Sequence, residues 1–380
     1  MRVYVNFSSV TSKHNWHTSE TKNLFVFFST VDYKLIMNFD KLQKDLNAEM
    51  TLFSANVISQ KAPASARKYT TKTELRTRAD VTHKIFQATR PDKVRVILKV
   101  MDNGPRSYKR ADSDLSEAFI MLRLRHPLIA ELVDYYVSDM FVTSLEIRPY
   151  TTTLNTFVED RAWKLSHVEA TAIMFQLLKA LQFVHSNHVI HGDIKLSNIA
   201  LQSLPTNDPI AQKLGMNYQL RLIDFGVSHI AAYPRAIYQR VTFNSISYRP
   251  PEVLLGMSAT QAVDIWAAGI VLVNLFYDYA SSDKMQNGSM ERQDQLEIVN
   301  IFAGPFDYDY ETTDARRLKI AKPKLPHVDM VSYFSAVPDD FAVLMQKLLI
   351  ANPENRASAG VALLDLLFAD LYDRDIFPEG

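Results

Sequence analysis

The residues best suited to chemistry lie in two short runs near the middle of the 380-residue chain. The first run, HGDIKLSN, starts at His191 and contains the carboxylate of Asp193, the ammonium of Lys195 and the amide of Asn198. The second run, IDFG, contains the carboxylate of Asp224. Carboxylate and amide oxygens are ligands that a hard cation such as Mg²⁺ prefers. These residue types therefore offer a base, a positive charge and two metal ligands.

Phosphoryl transfer from ATP is the chemistry that this set fits best. The reaction needs an acceptor hydroxyl held in line, metal ions on the phosphate oxygens, and positive charge that offsets the developing negative charge. We expect Asp193 to accept the hydroxyl proton and Lys195 to neutralise the γ-phosphate. Asn198 and Asp224 are the expected Mg²⁺ ligands.

Both runs resemble the catalytic loop and the metal-binding loop of eukaryotic protein kinases. A lone DFG motif would be weak evidence because short strings recur by chance. Here further motifs of that family occur in the expected order, and the resemblance covers residues 69–377. These motifs are VILK ending at Lys99, Glu117 nine residues before an HP pair, SYRPPE ending at Glu252, DIWAAG starting at Asp264, and NPENR ending at Arg356.

The resemblance implies a fold and a set of residue roles. The fold is α+β, a two-lobed protein kinase fold with a small β-rich N-lobe and a larger helical C-lobe. Lys99 would hold the α- and β-phosphates of ATP, Glu117 would pair with Lys99, and Glu252 would form a buried ion pair with Arg356. Further contacts with the nucleotide are expected at Ile85, Ile97, Glu146 and Leu201.

The substrate class follows from the same resemblance. A lysine two residues after the catalytic aspartate is the serine/threonine-kinase pattern, and Tyr248-Arg249 with Leu254-Leu255-Gly256 look most like the cyclin-dependent and MAP kinase group. Protein substrates are therefore expected, and a regulatory protein partner is compatible with this group. A small-molecule kinase has less support because the peptide-positioning segment through Glu252 is intact.

Hydrophobic periodicity predicts the elements that would position these residues. It indicates an N-lobe over residues 70–147, a C-lobe over 148–377, and an N-terminal extension over 1–69. In the extension, Leu42, Leu46 and Met50 at helical spacing predict a helix over Asp40–Phe53, followed by a linker over 60–67. The N-lobe elements are predicted strands at Lys84–Thr89, Val94–Val100, Leu132–Tyr136 and Phe141–Ile147, with a helix at Asp112–Leu124.

The nucleotide-binding half departs from the family pattern. The first glycine in the chain is Gly104, so the hairpin that normally covers the phosphates, here Arg78–His83 by spacing, has none. Glycine allows backbone N–H groups to approach phosphates closely. In addition, Ile97 replaces the usual alanine above the adenine ring and is expected to crowd it.

These departures leave two interpretations open. In the first, the side chains of Arg76, Arg78, His83 or Lys84 replace the lost backbone donors, and catalysis survives. In the second, the chain is a catalytically weak or inactive pseudokinase that acts as a scaffold or allosteric partner. The retention of every key polar group favours an active enzyme.

Gly192 is a third departure, because most kinases have arginine before the catalytic aspartate. That arginine binds a phosphorylated residue of the activation segment, so a phosphate on Thr242 or Tyr238 would lose its main partner. We therefore expect activity that does not depend on phosphorylation of this segment.

Four smaller features complete the resemblance. Ser245 is expected to bridge Asp193 and Lys195, and Leu145 to lie behind adenine, before a hinge over 146–149. The segment Leu204–Tyr218 resembles an inserted surface loop. A hydrophobic column between the lobes is expected from Met121, Leu132, His191 and Phe225.

Composition narrows the setting of the protein. The chain has no cysteine and a formal net charge of zero, so disulfides and thiolate sites are excluded and nucleic-acid binding has little support. Basic residues are concentrated between Lys61 and Arg110, as a solvated face or as a surface that meets an anion. We find no signal-peptide pattern and expect no membrane span. An intracellular protein, cytoplasmic or nuclear, is therefore expected.

Overall fold

A five-stranded antiparallel sheet forms the smaller lobe. The computed structural model describes residues 41–60, 68–75, 83–101, 108–138, 142–230, 245–257, 259–277, 335–372 and 376–377, with positions 295, 296, 299 and 303. The sheet has the order β1-β2-β3-β5-β4. Its strands are β1 (Thr71–Glu74), β2 (His83–Thr89), β3 (Arg95–Met101), β4 (Leu132–Val137) and β5 (Thr143–Ile147).

Two helices pack on this lobe. Helix α2 (Tyr108–Arg123) lies against β4 and β5 and buries Leu115, Ala118 and Ile120. Residues 41–59 form helix α1, in which Leu46 and Ile58 are buried. The hydrophobic face of α1 therefore joins the core of the smaller lobe.

The larger lobe is built around two buried helices. Helix α4 starts at a capping box between Ser166 and Glu169, and it packs against α7, in which almost every residue is buried. Among the described residues, three short 3₁₀ turns lie at Leu196–Asn198, Ile246–Tyr248 and Leu366–Phe368. The helices of this lobe whose bounds lie in the described ranges are α3 (Leu154–Glu159), α4 (His167–Ser186), α5 (Pro209–Leu214), α6 (Pro251–Leu254), α7 (Ala262–Phe276), α8 (Asp339–Leu348), α9 (Ala359–Ala362) and α10 (Ala369–Tyr372).

Short strands of the larger lobe bring the two chemical runs together. Asn198 directly precedes β8, and Asp224 follows β9 by two residues, while β8 and β9 pair in antiparallel register. His191 directly follows β7, which pairs with β10. The strands are β6 (Thr152–Thr153), β7 (Val189–Ile190), β8 (Ile199–Ser203), β9 (Tyr218–Leu222) and β10 (His229–Ile230).

Most predicted elements of the smaller lobe are present. The strands at Lys84–Thr89 and Val94–Val100 are found within one residue, α2 starts four residues earlier than predicted, and the helix predicted over Asp40–Phe53 continues to residue 59. The phosphate-covering segment lies outside the described residues except for its last position, and so does most of the predicted linker. Within the described residues, no helix combines the length and the apolarity that a membrane crossing requires.

The predicted surface segment Leu204–Tyr218 is largely exposed, but it is not wholly a loop. It contains α5, whose N-cap Asp208 accepts hydrogen bonds from the backbone N–H groups of Ile210 and Ala211. Leu214 and Met216 are buried. The segment is therefore a surface connection between β8 and β9 that is anchored by a short helix.

Candidate active site

An ionic cluster lies where the two lobes meet. Lys99 on β3 donates hydrogen bonds to both carboxylate oxygens of Glu117 on α2, at 2.8 and 3.0 Å, and to Oδ1 of Asp224, at 2.6 Å. Lys99 and Glu117 are buried, whereas the Asp224 side chain is 44% exposed. The Lys99 ammonium holds the pKa of Asp224 well below its usual range. Asp224 is therefore ionised at neutral pH.

Gly226 allows this cluster to form. A Cβ at this position would lie 3.2 Å from Lys99 Nζ and from Asp224 Oδ1, and 3.3 Å from Glu117 Oε2. A side chain there would crowd all three charged groups at once. A Cβ at Gly226 would therefore force these charged groups to move by a few tenths of an ångström.

The catalytic run forms a second network around Asp193. Oδ2 of Asp193 accepts hydrogen bonds from Lys195 Nζ at 2.5 Å and from Asn198 Nδ2 at 2.9 Å. Oδ1 accepts from the backbone N–H and the hydroxyl of Ser245, at 3.1 and 3.0 Å. Lys195 also donates to Ser245 Oγ at 2.9 Å. Ser245 therefore bridges Asp193 and Lys195, as predicted.

The backbone of the run is held by the buried carboxylate of Asp264 on α7. Its oxygens accept hydrogen bonds from the N–H groups of His191 and Gly192, both at 2.8 Å, and lie 2.9 Å from His185 Nε2. Gly192 has a φ of 79°, in the left-handed region that glycine adopts without steric cost. A largely buried helix thus fixes the path of the loop that carries Asp193.

The donor set fits Mg²⁺. Both hydrogen bonds of the Asn198 amide nitrogen go to Asp193, so its amide oxygen is the atom left for a cation. Asp224 adds an ionised, half-exposed carboxylate. Mg²⁺ is commonly held by one or two such protein oxygens together with waters and phosphate oxygens. Across the described ranges, no group of three or more His, Cys, Asp or Glu side chains could hold a metal ion without such help.

Two predicted supports of the site are also present. Arg356 NH1 and NH2 donate to the carboxylate oxygens of Glu252 at 2.8 and 3.1 Å, and both side chains are almost fully buried. The rings of His191 and Phe225 lie 4.7 Å apart, and His191 Nε2 lies 3.1 Å from the carbonyl oxygen of Ile223. His191 is therefore a structural residue.

Comparison with known proteins agrees with this geometry. The family model described as "Protein kinase domain" matches residues 82–368. The chain belongs to the protein kinase family. It is 26% identical to human mitogen-activated protein kinase 12 over 281 residues, which cover 71% of this chain and 69% of that protein.

Two further relatives have a similar sequence identity to this chain. The kinase is 26% identical to bovine cyclin-dependent kinase 10 over 263 residues, or 68% of each chain. It is 30% identical to serine/threonine-protein kinase US3 of human herpesvirus 2 over 214 residues. That alignment covers 56% of the kinase and 38% of the viral protein.

Apolar side chains of the smaller lobe lie on the face of the sheet that carries Lys99. Ile85 pairs with Lys99 across β2 and β3, and Ile97 pairs with Ile147 across β3 and β5. Directly opposed residues share one face of a sheet, so these side chains lie on the face that carries Lys99. Leu201 on β8 is fully buried below them in the core of the larger lobe.

The predicted hinge is corrected. Glu146 lies inside β5, opposite Leu98, and therefore faces away from Lys99. Its carboxylate is buried and accepts a hydrogen bond from Tyr69 Oη at 2.7 Å, with Arg90 NH1 at 3.4 Å. Glu146 thus stabilises the outer face of the sheet and does not offer its side chain to the nucleotide. The hinge begins after Ile147.

Sequence reasoning missed Tyr150 in the corrected hinge. Its side chain packs against the core, and burial together with the Asp224 carboxylate raises its pKa. Tyr150 therefore lies near the Asp224 carboxylate. The sequence contained no sufficient signal, because the hinge could be aligned in more than one register.

The predicted cationic replacements for the glycine loop are only partly available. Arg76 and Arg78 lie outside the described residues. Lys84 is exposed and pairs with Val100, so it points away from the face that carries Lys99. His83 lies near Lys99, but burial and the Lys99 charge lower its pKa. His83 is therefore neutral at pH 7 and supplies no cation beside Lys99.

Proposed function

We propose that this protein kinase is an ATP- and Mg²⁺-dependent enzyme that phosphorylates serine or threonine in proteins. One observation carries the proposal: all six polar groups of the predicted site assemble in two connected networks at the junction of the lobes. These groups are Lys99, Glu117, Asp193, Lys195, Asn198 and Asp224.

Bound Mg²⁺-ATP would supply the phosphoryl group, with Asn198 and Asp224 holding the metal and Lys99 facing the phosphates. Both oxygens of Asp193 are oriented by hydrogen bonds from Ser245, Lys195 and Asn198. The carboxylate is thus positioned to accept the proton of an acceptor hydroxyl. The ammonium of Lys195 lies beside it and offsets the negative charge that develops during transfer.

The substrate side of the proposal rests on the larger lobe. The segment Ser245–Glu252 is anchored at one end to Asp193 and at the other to Arg356. A fixed segment of this kind suits an extended peptide that presents a hydroxyl to Asp193. The proposal includes protein substrates and an intracellular setting, cytoplasmic or nuclear, where ATP is available.

A non-catalytic scaffold is the second candidate. The observation that favours it is the smaller lobe, where Ile97 is 8% exposed on the nucleotide side and His83 brings no charge. In this case the larger lobe would retain its catalytic residues without receiving ATP.

A thermal-shift titration distinguishes the two candidates. Wild type, Asp224→Ala and the exposed control Asp370→Asn on α10 are titrated with ATP, with and without Mg²⁺. A ligand that binds only the folded state at 100 times its Kd stabilises by about 2.7 kcal/mol. We expect Mg²⁺-dependent stabilisation of wild type and Asp370→Asn, and its loss in Asp224→Ala. No stabilisation of wild type would refute the enzyme and favour the scaffold.

Control by phosphorylation is a separate part of the proposal. Gly192 offers no guanidinium, and its backbone N–H is already bound to Asp264. We expect phosphatase treatment to leave peptide phosphorylation within about twofold, because no phosphate clamp can form at this position. Loss of activity on dephosphorylation would contradict this point. Thr242 and Tyr238 lie outside the described residues.

A further inference from the structure

Helix α1, residues 41–59, precedes the family match at 82–368 but is packed into the kinase core. Leu46 is 4% exposed and Ile58 6%. The partly buried side chains of this face pack against the same core, and they are Leu42, Met50, Phe53 and Val57. Because burial of this apolar face stabilises the packed state, α1 helps to fix the position of the elements that it covers.

One side of α1 lies on α2, the helix that carries Glu117. The ring of Phe53 lies 5.5 Å from that of Phe119, which is two residues from Glu117. Glu49 Oε2 lies 3.0 Å from Arg123 NH1 in the last turn of α2. That ion pair is exposed and therefore weak, so the aromatic contact is the stronger link. Helix α1 thus covers the part of α2 next to Glu117 and its C-terminal turn.

Other contacts of α1 reach two elements that α2 must be aligned with. Phe53 also lies 5.4 Å from the ring of Tyr135 on β4. Gln43 Nε2 donates a hydrogen bond to the carbonyl oxygen of Ile230, at 3.1 Å. Ile230 lies in β10, six residues after Asp224, and β10 pairs with the strand that leads into His191. Helix α1 therefore contacts α2, which carries Glu117, and also β4 and β10.

The position of α2 decides whether the ionic cluster exists. Glu117 is 1% exposed, and burial raises its pKa, so its charge is costly unless Lys99 lies beside it. Besides the ion pair of Glu117 with Lys99 on β3, α2 packs against β4 and β5, and α1 bridges α2 to β4 through Phe53. A contact made only when α2 is docked shifts its equilibrium toward the docked state.

We propose that residues 41–59 act in cis as a positioning element, which holds α2 docked so that Glu117 keeps Lys99 aligned for the nucleotide phosphates. Phe53 is the central positioning residue, through Phe119 and Tyr135. The inference rests on the proposed kinase function for its activity readout. Its structural readout, the docking of α2, is independent of activity.

The full chain offers a matched pair of variants on one helix. Phe53→Ala removes the contact with α2 and β4, whereas Leu52→Ala alters a neighbouring side chain that is 73% exposed. For Phe53→Ala we expect kcat/KM for ATP to fall about tenfold, within the range of measured couplings between contacting residues. Hydrogen exchange in α2 should become faster, while exchange in α4 and α7 should stay unchanged. Leu52→Ala should remain within about twofold of wild type.

A double-mutant cycle with Glu117→Gln separates positioning from general destabilisation. If Phe53 acts through Glu117, Phe53→Ala causes little further loss of kcat/KM for ATP in the Glu117→Gln background. An equal loss in both backgrounds, or unchanged α2 exchange in Phe53→Ala, would overturn the inference. If the wild-type protein transfers no phosphate, the proposed kinase activity is refuted. Hydrogen exchange in α2 still tests whether α1 positions α2. Phe53→Leu, which keeps apolar contact, serves as the second variant if Phe53→Ala does not fold.

Discussion

The two halves of the active site differ in how closely they follow the family pattern. On the larger lobe, Asp193, Lys195, Asn198 and Ser245 form one connected network, whose backbone is fixed by Asp264. On the smaller lobe, the glycine-rich loop is missing from the sequence, and Ile97 stands where alanine is usual. The larger lobe, which we propose holds the base and the metal ligands, follows the family pattern, whereas the smaller lobe, which we propose receives the nucleotide, departs from it. Any loss of activity should therefore originate in nucleotide binding.

The largest effect should come from Asp193→Asn, which removes the base of the complete half. General-base catalysis typically contributes about 10²–10⁴-fold, and kcat should fall by that order. Binding of Mg²⁺-ATP should persist because Asn198 and Asp224 are unchanged. Single-turnover kinetics and the thermal shift measure the two quantities. A variant that loses ATP binding as well would show that the two halves are not separable.

The buried ion pair of Glu252 with Arg356, which supports the larger lobe, should be more sensitive to the loss of one charge than an exposed ion pair. Arg356→Met leaves the carboxylate of Glu252 buried without its partner, which typically costs about 3–5 kcal/mol. The exposed pair of Glu131 with Arg148 provides the control, since Glu131→Gln should cost less than about 1 kcal/mol. Urea unfolding of both variants gives the free energies. Equal costs would mean that the buried pair does not stabilise the lobe.

The altered half can be tested by relieving its crowding. Ile97→Ala should tighten ATP binding on the order of tenfold, because overpacking costs about 1–3 kcal/mol. Leu98→Ala, one residue away on the opposite face of β3, removes a similar buried volume and should leave the Kd for ATP unchanged. Isothermal titration of both variants decides the point. Weaker binding in Ile97→Ala would show that Ile97 contacts adenine favourably.

The smallest effect concerns the loop between α2 and β4, where His126 contacts α4 of the larger lobe. Burial, with a smaller contribution from Lys179, lowers the pKa of His126 from 6.5 to about 4, and its ring stacks on Phe183 at 4.5 Å. Between these pH values the unfolded chain binds a proton that the folded chain does not, so stability falls as the pH decreases.

His126→Gln should therefore reduce the loss of Tm between pH 6.5 and 4. At pH 8, His126 is neutral in both the folded and the unfolded chain. The difference in Tm between variant and wild type at this pH therefore measures lost packing alone. If the Tm of His126→Gln depended on pH in the same way as that of wild type, His126 would not be the source of this loss of stability.

Much of the fold and the catalytic half could be predicted from the sequence. The residues from His191 to Asn198 are close in sequence, so local spacing was enough to identify the base, the lysine and the amide. The pairing of Lys99 with Glu117 and of Glu252 with Arg356 followed from the order of motifs. The hinge could not be placed, because Leu145 and Ile147 are both apolar and share one face of β5. Only the strand register shows that Glu146 points away from the site.

The sequence by itself determined the family, the chemical groups and their order along the chain, because motif spacing reflects local backbone geometry. The tertiary structure decided which side of the sheet each strand residue faces, that His83 and Lys84 supply no cation beside Lys99, and where α1 packs. These properties depend on contacts between residues that are far apart in sequence, such as Phe53 with Phe119 and Gln43 with Ile230. No local pattern in the sequence records such contacts, because burial and pairing arise only when the elements pack together.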